Sequence, residues 1–368
     1  MTPAPATGKP VRHVLHVSMP TTEGVARVLL GYARDQVSRG WQVSVACPAT
    51  GWLADEAAAA GATVVRWDAG REPGPRTLAE TLQLARIVRR IRPDVIHLHS
   101  AKAGLAGRLA VRRRVRTVYQ PHAWSFLAAD GAVGRSARAW EKWAGRWTDV
   151  LVCVSEDECE IGRRAGILTD ARVVPNGVDL VAFADAPDPA SARSRLGLSE
   201  APTAVCLGRL CRQKGQDRLV ALWPDVRRRV PGAQLVLVGD GPDRDSVSGR
   251  EADGVVVVGV QSDPALWLAA ADVVVVPSRW EGMALAPLEA MATGRSVVGF
   301  DVVGLAESVP PDAGLLVPDG AAGSLSQALT DRLLDPALAS TEGAAGRRHV
   351  AQRHDVTRAA QTLAEVYS

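Results

Sequence analysis

Short β-branched runs separated by helical stretches recur through both halves of this 368-residue chain, and that alternation limits the folds open to it. In the first half the strand candidates are His13–Val17, Gln42–Ala46, Thr63–Arg66, Val95–Leu98, Thr117–Gln120, Val150–Val154 and Arg172–Val174. In the second they are Thr203–Leu207, Gln234–Val238, Val255–Val258, Val273–Val276 and Ser296–Phe300. Helical patterns such as Val25–Ser38, Leu78–Ile91 and Ala103–Val111 lie between them. Uninterrupted runs such as Val255–Val258 suit strands buried on both faces of a parallel sheet. The pattern predicts an α/β protein of two doubly wound, Rossmann-like domains. Pro187-Asp188-Pro189-Ala190-Ser191 breaks any regular pattern, and Pro175-Asn176-Gly177 reads as a tight turn, so a boundary is expected near 180–200. The segment Val350 to Tyr367 reads as an amphipathic helix able to return to the first domain.

The apolar fraction of 47% is enough for two cores and excludes a disordered chain, a collagen or a small disulfide scaffold. No apolar run approaches the roughly 18–20 residues of a membrane span. The stretch Met1 to His13 lacks the apolar centre of a signal peptide, so a cytoplasmic protein is expected. None of Cys47, Cys153, Cys159, Cys206 and Cys211 forms a C-x-x-C pair, and Cys47, Cys153 and Cys206 read as buried, inert thiols. Net charge is +3, but it is split. Residues 1–180 carry 25 basic and 17 acidic side chains; residues 181–368 carry 18 and 23. The basic excess concentrates in 81–129: Arg86, Arg89, Arg90, Arg92, Lys102, Arg108, Arg112, Arg113, Arg114 and Arg116 face one acid, Asp94. This is either a solvated face of arginine-rich helices or a surface for anionic lipid headgroups or an anionic acceptor. No nucleic-acid recognition motif accompanies it.

In doubly wound folds the chemistry sits just after the strands. The stretch from Pro277 to Gly294 follows a strand and opens a helix near Ala286, with Glu281 in the loop and Glu289 inside the helix. Backbone N–H groups of Met283, Ala284 and Leu285 at that helix start, with the two carboxylates, can hold the hydroxyls and anionic groups of a sugar nucleotide. The same residues also fit a capped helix with two solvated glutamates. Gly208-Arg209-Leu210-Cys211-Arg212-Gln213-Lys214-Gly215 leaves the strand Thr203–Leu207, and Arg209 with Lys214 can neutralise a diphosphate; a solvated basic loop is the alternative. It is not a Walker A loop, because the order of Gly and Lys is wrong. Val238-Gly239-Asp240-Gly241-Pro242 is a glycine turn open to close approach. Asp243-Arg244-Asp245 looks like D-x-D but begins a helix, so no metal site is expected there.

In the first half, His122 ends a strand and can donate to a substrate oxygen, although a lone histidine is more often structural. Ser18 to Gly24 follows the first strand, and Gly24 can present its N–H to a phosphate. His97 and His99 share a strand face, either as site residues or as core. Trp140, Trp143 and Trp147 at helical spacing are read as a core face in preference to a membrane-interface stripe.

At these residues the sequence resembles the retaining glycosyltransferases of family 4, over nearly its whole length. The family pattern E-G-F-G-L-x-P-L-E-A-M-A-x-G is met by Glu281 to Gly294, G-R-L-x-x-x-K-G by Gly208 to Gly215, and G-D-G-P by Gly239 to Pro242. A-D-V-x-V-x-P-S is met by Ala271 to Ser278, V-S-E by Val154 to Glu156, and P-N-G-V-D by Pro175 to Asp179. The resemblance implies a GT-B architecture. Residues 1–182 would form an acceptor domain, residues 183–351 a nucleotide-sugar domain, and the helix 352–368 would pack back on the first. It implies that Gly208, Arg209, Lys214 and Gly239 hold the donor diphosphate, with Gly24 approaching a phosphate. Glu281 with Gly282, Met283, Ala284 and Leu285 would contact the donor sugar, Glu289 the ribose, and Val260 and Gln261 would flank the base.

His122 would meet the donor sugar, so His122, Arg209, Lys214 and Glu281 are the expected catalytic set, and Ser18, Glu23, His99 and Trp124 the acceptor side. No metal and no cofactor is expected; the donor is a nucleoside-diphosphate sugar, a UDP-sugar in preference to a GDP-sugar. Two departures bear on this. Glu23-Gly24 stands where the family often has Gly-Gly, and Met283-Ala284 replaces Phe-Gly. The stretches His97 to Gly104 and Pro121 to Phe126 most resemble members building envelope or exopolysaccharide on a polyprenyl-diphosphate lipid. That implies a lipid-linked glycan acceptor at the inner membrane face, with the 81–129 region on the anionic surface. Alternatives are the same chemistry on a soluble acceptor, an epimerase, and a member that binds sugar nucleotides without turnover.

Overall fold

The computed structural model describes residues 13–250 and 253–367. The chain divides into two compact units. The first runs to Asn176 and takes back the chain from Val356; the second is Gly177–Asp355. The division precedes the expected 182/183 boundary because the segment after Asn176 is tied to the second unit: the Val178 N–H donates to the His354 carbonyl at 2.8 Å. Asp179 then caps the short helix Leu180–Ala184, accepting from Val181 and Ala182.

In the first unit β1 (His13–Ser18), β2 (Gln42–Cys47), β3 (Thr63–Arg66), β4 (Val95–His99), β5 (Arg116–Gln120), β6 (Val150–Cys153) and β7 (Ala171–Val173) form one sheet in the order β3-β2-β1-β4-β5-β6-β7, every pair parallel. In the second unit β8 (Thr203–Leu207), β9 (Gln234–Val238), β10 (Val255–Gly259), β11 (Val273–Val276), β12 (Ser296–Asp301) and β13 (Gly314–Pro318) form a parallel sheet in the order β10-β9-β8-β11-β12-β13. The chain order reverses between β1 and β4 and again between β8 and β11. In such sheets the crevice at the reversal is where ligands bind.

Central strands are buried on both faces, as their unbroken apolar runs require. Leu15, Val17, Ile96 and Leu98 sit in one core of the first unit, and Val43, Val45 and Leu29 in another. The helix Val356–Tyr367 belongs to the first unit, where Val356 reaches Gly31 and the Tyr367 hydroxyl lies 2.6 Å from His97 Nδ1. Strand β13 was not expected. It is short, and only Gly314 and Val317 are buried, so it carries no continuous apolar run.

Two expectations about surfaces are corrected. Lys102 and Arg108 do not belong to an exposed basic face. Lys102 is buried 2.6 Å from Glu80, and Arg108, 1% exposed, pairs with Glu141 at 2.7 Å and lies 4.0 Å over the Tyr119 ring. Each was counted as surface because its acid partner is distant in sequence. The other eight basic residues of that region are exposed. Trp140, Trp143 and Trp147 are not a core face: Trp143 is 45% exposed, and the three rings pack on one another with the Arg146 guanidinium 4.1 Å over Trp143. Arginine offers those rings a cation–π partner, so they need no core.

Candidate functional site

In the second unit the loops leaving β8, β9 and β11 meet at the point where the strand order reverses. Glycines let them touch. A Cβ on Gly239 would lie 2.1 Å from the Gly208 carbonyl oxygen, and one on Gly215 2.1 Å from that of Pro277. Gly208 and Gly239 have φ of +154° and +143°, where side chains are strained. Backbone bonds lace the loops: Leu210 N–H to the Asp240 carbonyl at 3.0 Å, and Arg279 N–H to that of Gln213 at 2.8 Å. Arg279 grips Asp217 through two bonds of 2.8 and 2.7 Å, which holds the Asp217 carboxyl below its ordinary value.

On this scaffold Lys214 Nζ donates to Glu281 Oε1 at 2.7 Å, and the Ser278 hydroxyl donates to the same oxygen at 2.6 Å. Glu281 and Glu289 are both buried, at 4% and 3% exposure, which excludes the solvated-glutamate alternative. Glu289 sits in the helix Leu285–Ala292, which Ala284 precedes without a side-chain cap. Gly282, Met283 and Ala284 form the approach to that helix and are buried. Arg209 is half-buried, and its guanidinium makes no hydrogen bond or ion pair among the described residues. Its carbonyl accepts from Gln216 Nε2 at 3.0 Å, which fixes the loop. Val260 is exposed beyond β10, and Gln261 donates to the Val258 carbonyl at 2.7 Å. The Gly239 N–H to the Gly259 carbonyl, 2.8 Å, ties this segment to the β9 loop. Ser278 and Gln216 were not singled out from the sequence; Ser278 closes the A-D-V-x-V-x-P-S match, which was its signal.

In the first unit backbone strain marks the same ends of the strands. Glu23 (φ +64°) follows β1, Ser100 (φ +70°) follows β4, and His122 (φ +55°) and Ala123 (φ +93°) follow β5. Positive φ in residues other than glycine persists where surrounding structure enforces it, and it clusters at functional sites. Arg92 and Arg112, also positive, merely end helices at the opposite side. Glu158 enforces the turn after β5: Oε1 accepts from the Ala123 N–H at 2.6 Å and Oε2 from the Val154 N–H at 2.8 Å. Glu23 is exposed and Gly24 half-buried at the start of the helix Glu23–Ser38, while the buried Ser18 spends its hydroxyl on the Pro20 carbonyl.

Trp124 and His99, expected on the acceptor side, are fully buried. The Trp124 indole N–H donates to the Glu158 carbonyl at 2.7 Å, so this ring supports the loop from below. His99 lies between His16, at 3.0 Å, and His122, at 3.1 Å. The ring nitrogens of His16, His97 and His99 come within 4.8 Å of one another, and this is the group among the described residues with the composition of a metal site. The 3.0 Å His16–His99 contact itself has hydrogen-bond geometry. Burial pushes the His16 imidazole down to about 4 and His122 to about 3, and holds His97 and His99 well below the ordinary value.

A family model described as Glycosyltransferase Family 4 matches residues 22–181, and one described as Glycosyl transferases group 1 matches residues 201–335. A GDP-mannose-dependent alpha-(1-6)-phosphatidylinositol monomannoside mannosyltransferase of Mycobacterium tuberculosis is 36% identical over 265 residues, 66% of either chain. The chain thus spans just under two thirds of that relative's length. The lipopolysaccharide core biosynthesis mannosyltransferase LpsB of Rhizobium meliloti is 30% identical over 249 residues, 63% of this chain and 69% of that one. Among solved structures, Anabaena Alr3699/HepE in complex with UDP and glucose superposes with a TM-score of 0.83 at 20% identity, over 96% of this chain and 99% of the other. At that identity the likeness is one of fold: both have the GT-B architecture.

Proposed function

The chain belongs to glycosyltransferase family 4, and from that premise we propose that it transfers a hexose from a nucleoside-diphosphate sugar to a lipid-anchored saccharide. The observation that carries this reading is the half-buried Arg209, a cation without a side-chain partner among the described residues, set in the same loop as Lys214 of the Lys214–Glu281–Ser278 cluster. A diphosphate supplies the charge that Arg209 lacks. As the glycosidic bond breaks, the leaving diphosphate gains charge, and Arg209 and Lys214 stabilise it most at that moment. Both described contacts of Glu281 fall on Oε1, so Oε2 is the oxygen kept for a hydroxyl of the donor sugar. Glu289 takes the ribose, the segment Val260–Gln261 the base, Gly24 a phosphate, and His122 the transferred sugar. Transfer proceeds with retention, the acceptor hydroxyl attacking from the face the nucleotide leaves and passing its proton to a donor phosphate oxygen. No metal enters these steps.

The expectation favoured a UDP-sugar. The mycobacterial relative is named for GDP-mannose, and at 36% identity it outweighs a fold neighbour holding UDP at 20%. We therefore take GDP-mannose as the donor. Both relatives named above build on lipid-anchored glycans. The exposed arginines at 86–92 and 112–116, with the half-exposed tryptophans beside them, suit an anionic bilayer surface, each basic residue adding about 1 kcal/mol there. No helix among the described residues is long and apolar enough to cross a membrane.

A thermal-shift panel of GDP-mannose, UDP-glucose, GDP and UDP with chelator present tests the donor. A ligand at 100 times its dissociation constant stabilises by about 2.7 kcal/mol. GDP-mannose is expected to raise the melting temperature of the wild type and to lose that effect in Arg209→Ala; an equal shift in both refutes the Arg209 role. Sedimentation with anionic vesicles is expected to fail when Arg112, Arg113 and Arg114 are neutralised, and survival of binding refutes the surface.

A further inference from the structure

Four side chains make a continuous line from the core of the first unit to the strained turn after β5. His16 Nε2 meets Gln36 Oε1 at 2.8 Å, His16 Nδ1 meets His99 Nε2 at 3.0 Å, and His99 Nδ1 meets His122 Nε2 at 3.1 Å. Gln36, His16 and His99 are at most 1% exposed, whereas His122 is half-buried, and its Nδ1 bonds nothing among the described residues. Burial keeps all these rings neutral near pH 7, so each carries one ring proton.

A line of neutral imidazoles has only two self-consistent proton arrangements, because each ring must donate through one nitrogen and accept through the other. The end group selects between them. Gln36 turns its amide oxygen to His16 Nε2 at 2.8 Å, and that oxygen can only accept. His16 must hold its proton on Nε2, which leaves Nδ1 to accept from His99 Nε2–H, and His99 Nδ1 in turn accepts from His122 Nε2–H.

We propose that Gln36, His16 and His99 are positioning residues that fix His122 as its Nε2–H tautomer, so that His122 offers a bare Nδ1 lone pair to a hydroxyl of the transferred sugar. The second half of this rests on the function proposed above; the first half does not. The line also accounts for two buried histidines, His16 and His99, that a Rossmann-like core does not need. Mixed tautomers at His122 would present an N–H in half the molecules, repelling a hydroxyl proton instead of accepting it.

The test is ring-nitrogen NMR of the full chain labelled at histidine, with the His122 signals assigned by their loss in His122→Phe. In the wild type His122 Nδ1 is expected to be pyridine-like and Nε2 pyrrole-like; the reverse pattern overturns the proposal without any variant. In Gln36→Met, and separately in His16→Phe, the two His122 nitrogens are expected to move toward a common averaged shift. His13, which pairs with Ser44 outside the chain, should keep its pattern. His122 shifts unchanged in a folded variant overturn the proposal. The averaged tautomer halves the competent population, so kcat is expected to fall at least twofold with donor KM little changed. Averaged shifts with unchanged kcat overturn the role of His122 in transfer, and trace that failure to the proposed function and not to the chain.

Discussion

Replacing Lys214 by Met separates the two tasks the structure gives this side chain. In the free protein Lys214 Nζ lies 2.7 Å from Glu281 Oε1, and the two side chains are 23% and 5% exposed. Removing the cation leaves a buried carboxylate whose remaining side-chain partner among the described residues is the Ser278 hydroxyl. Breaking one side of a buried pair costs about 3–5 kcal/mol, and the partial exposure of Lys214 puts this case near 3. The double variant Lys214→Met/Glu281→Gln removes the stranded charge, while the new amide oxygen still accepts from Ser278. Its stability is expected to return to within about 1 kcal/mol of the wild type. Turnover behaves differently. Loss of one donor to the leaving group costs about 10²–10³ in kcat, and the double variant cannot regain it. Urea melts of the full chain followed by fluorescence, with nucleotide-release assays on the same preparations, read both quantities. A double variant that recovers turnover along with stability refutes the assignment of Lys214 to the diphosphate, and a single variant as stable as the wild type refutes the buried-pair reading.

Acidification should weaken the first unit selectively. His16, His97, His99 and His122 have folded-state pKa values depressed by burial, so their contribution is complete above the ordinary value of 6.5 and is lost as pH falls toward about 4. His16 alone is worth roughly 3 kcal/mol across that window, and hydrogen exchange that shows β1 and β4 equally protected at pH 7 and 4.5 would contradict it. Arg108→Met is expected to cost about 3–5 kcal/mol by stranding Glu141, and Arg108→Met/Glu141→Leu to recover most of it; chemical denaturation measures both. Gly239→Ala drives a Cβ to 2.1 Å from the Gly208 oxygen at a φ of +143°. It should cost about 2 kcal/mol or more and weaken donor binding by parting the β8 and β9 loops, and calorimetry with GDP-mannose that gives a wild-type affinity rejects the shared-loop account.

Most strands and the glycine loops that leave β8 and β9 could be read from the chain because their signals are local. Val273–Val276 is a complete buried strand written in four consecutive valines, and the glycines of 208–215 and 239–242 carry their backbone requirement in their own identity. Strand β13 escaped because an edge strand with two buried residues has no such run. What pairing across distance decides was hidden: Lys214 with Glu281, Arg108 with Glu141, and Lys102 with Glu80 each join elements that only the fold brings together. The histidine chain draws on β1, β4, the turn after β5 and the helix that carries Gln36, so no stretch of sequence contains it. His97-Leu98-His99 signalled a shared face but not what lay beyond it. Strain at Glu23, Ser100, His122 and Ala123 has no sequence signature at all, since none of them is glycine.

The measurement that bears most directly on the account is the fate of the sugar itself. Incubating the full chain with GDP-[13C]mannose, chelator and a short-chain lipid-anchored mannoside, and following the anomeric carbon by NMR, is predicted to show GDP release matched by a new α-linked mannose. That product should be absent with Arg209→Ala. A β-linked product would contradict retention, and an untouched donor, with UDP-sugars equally inert, would contradict the proposal that this chain is a glycosyltransferase acting on a lipid-anchored saccharide.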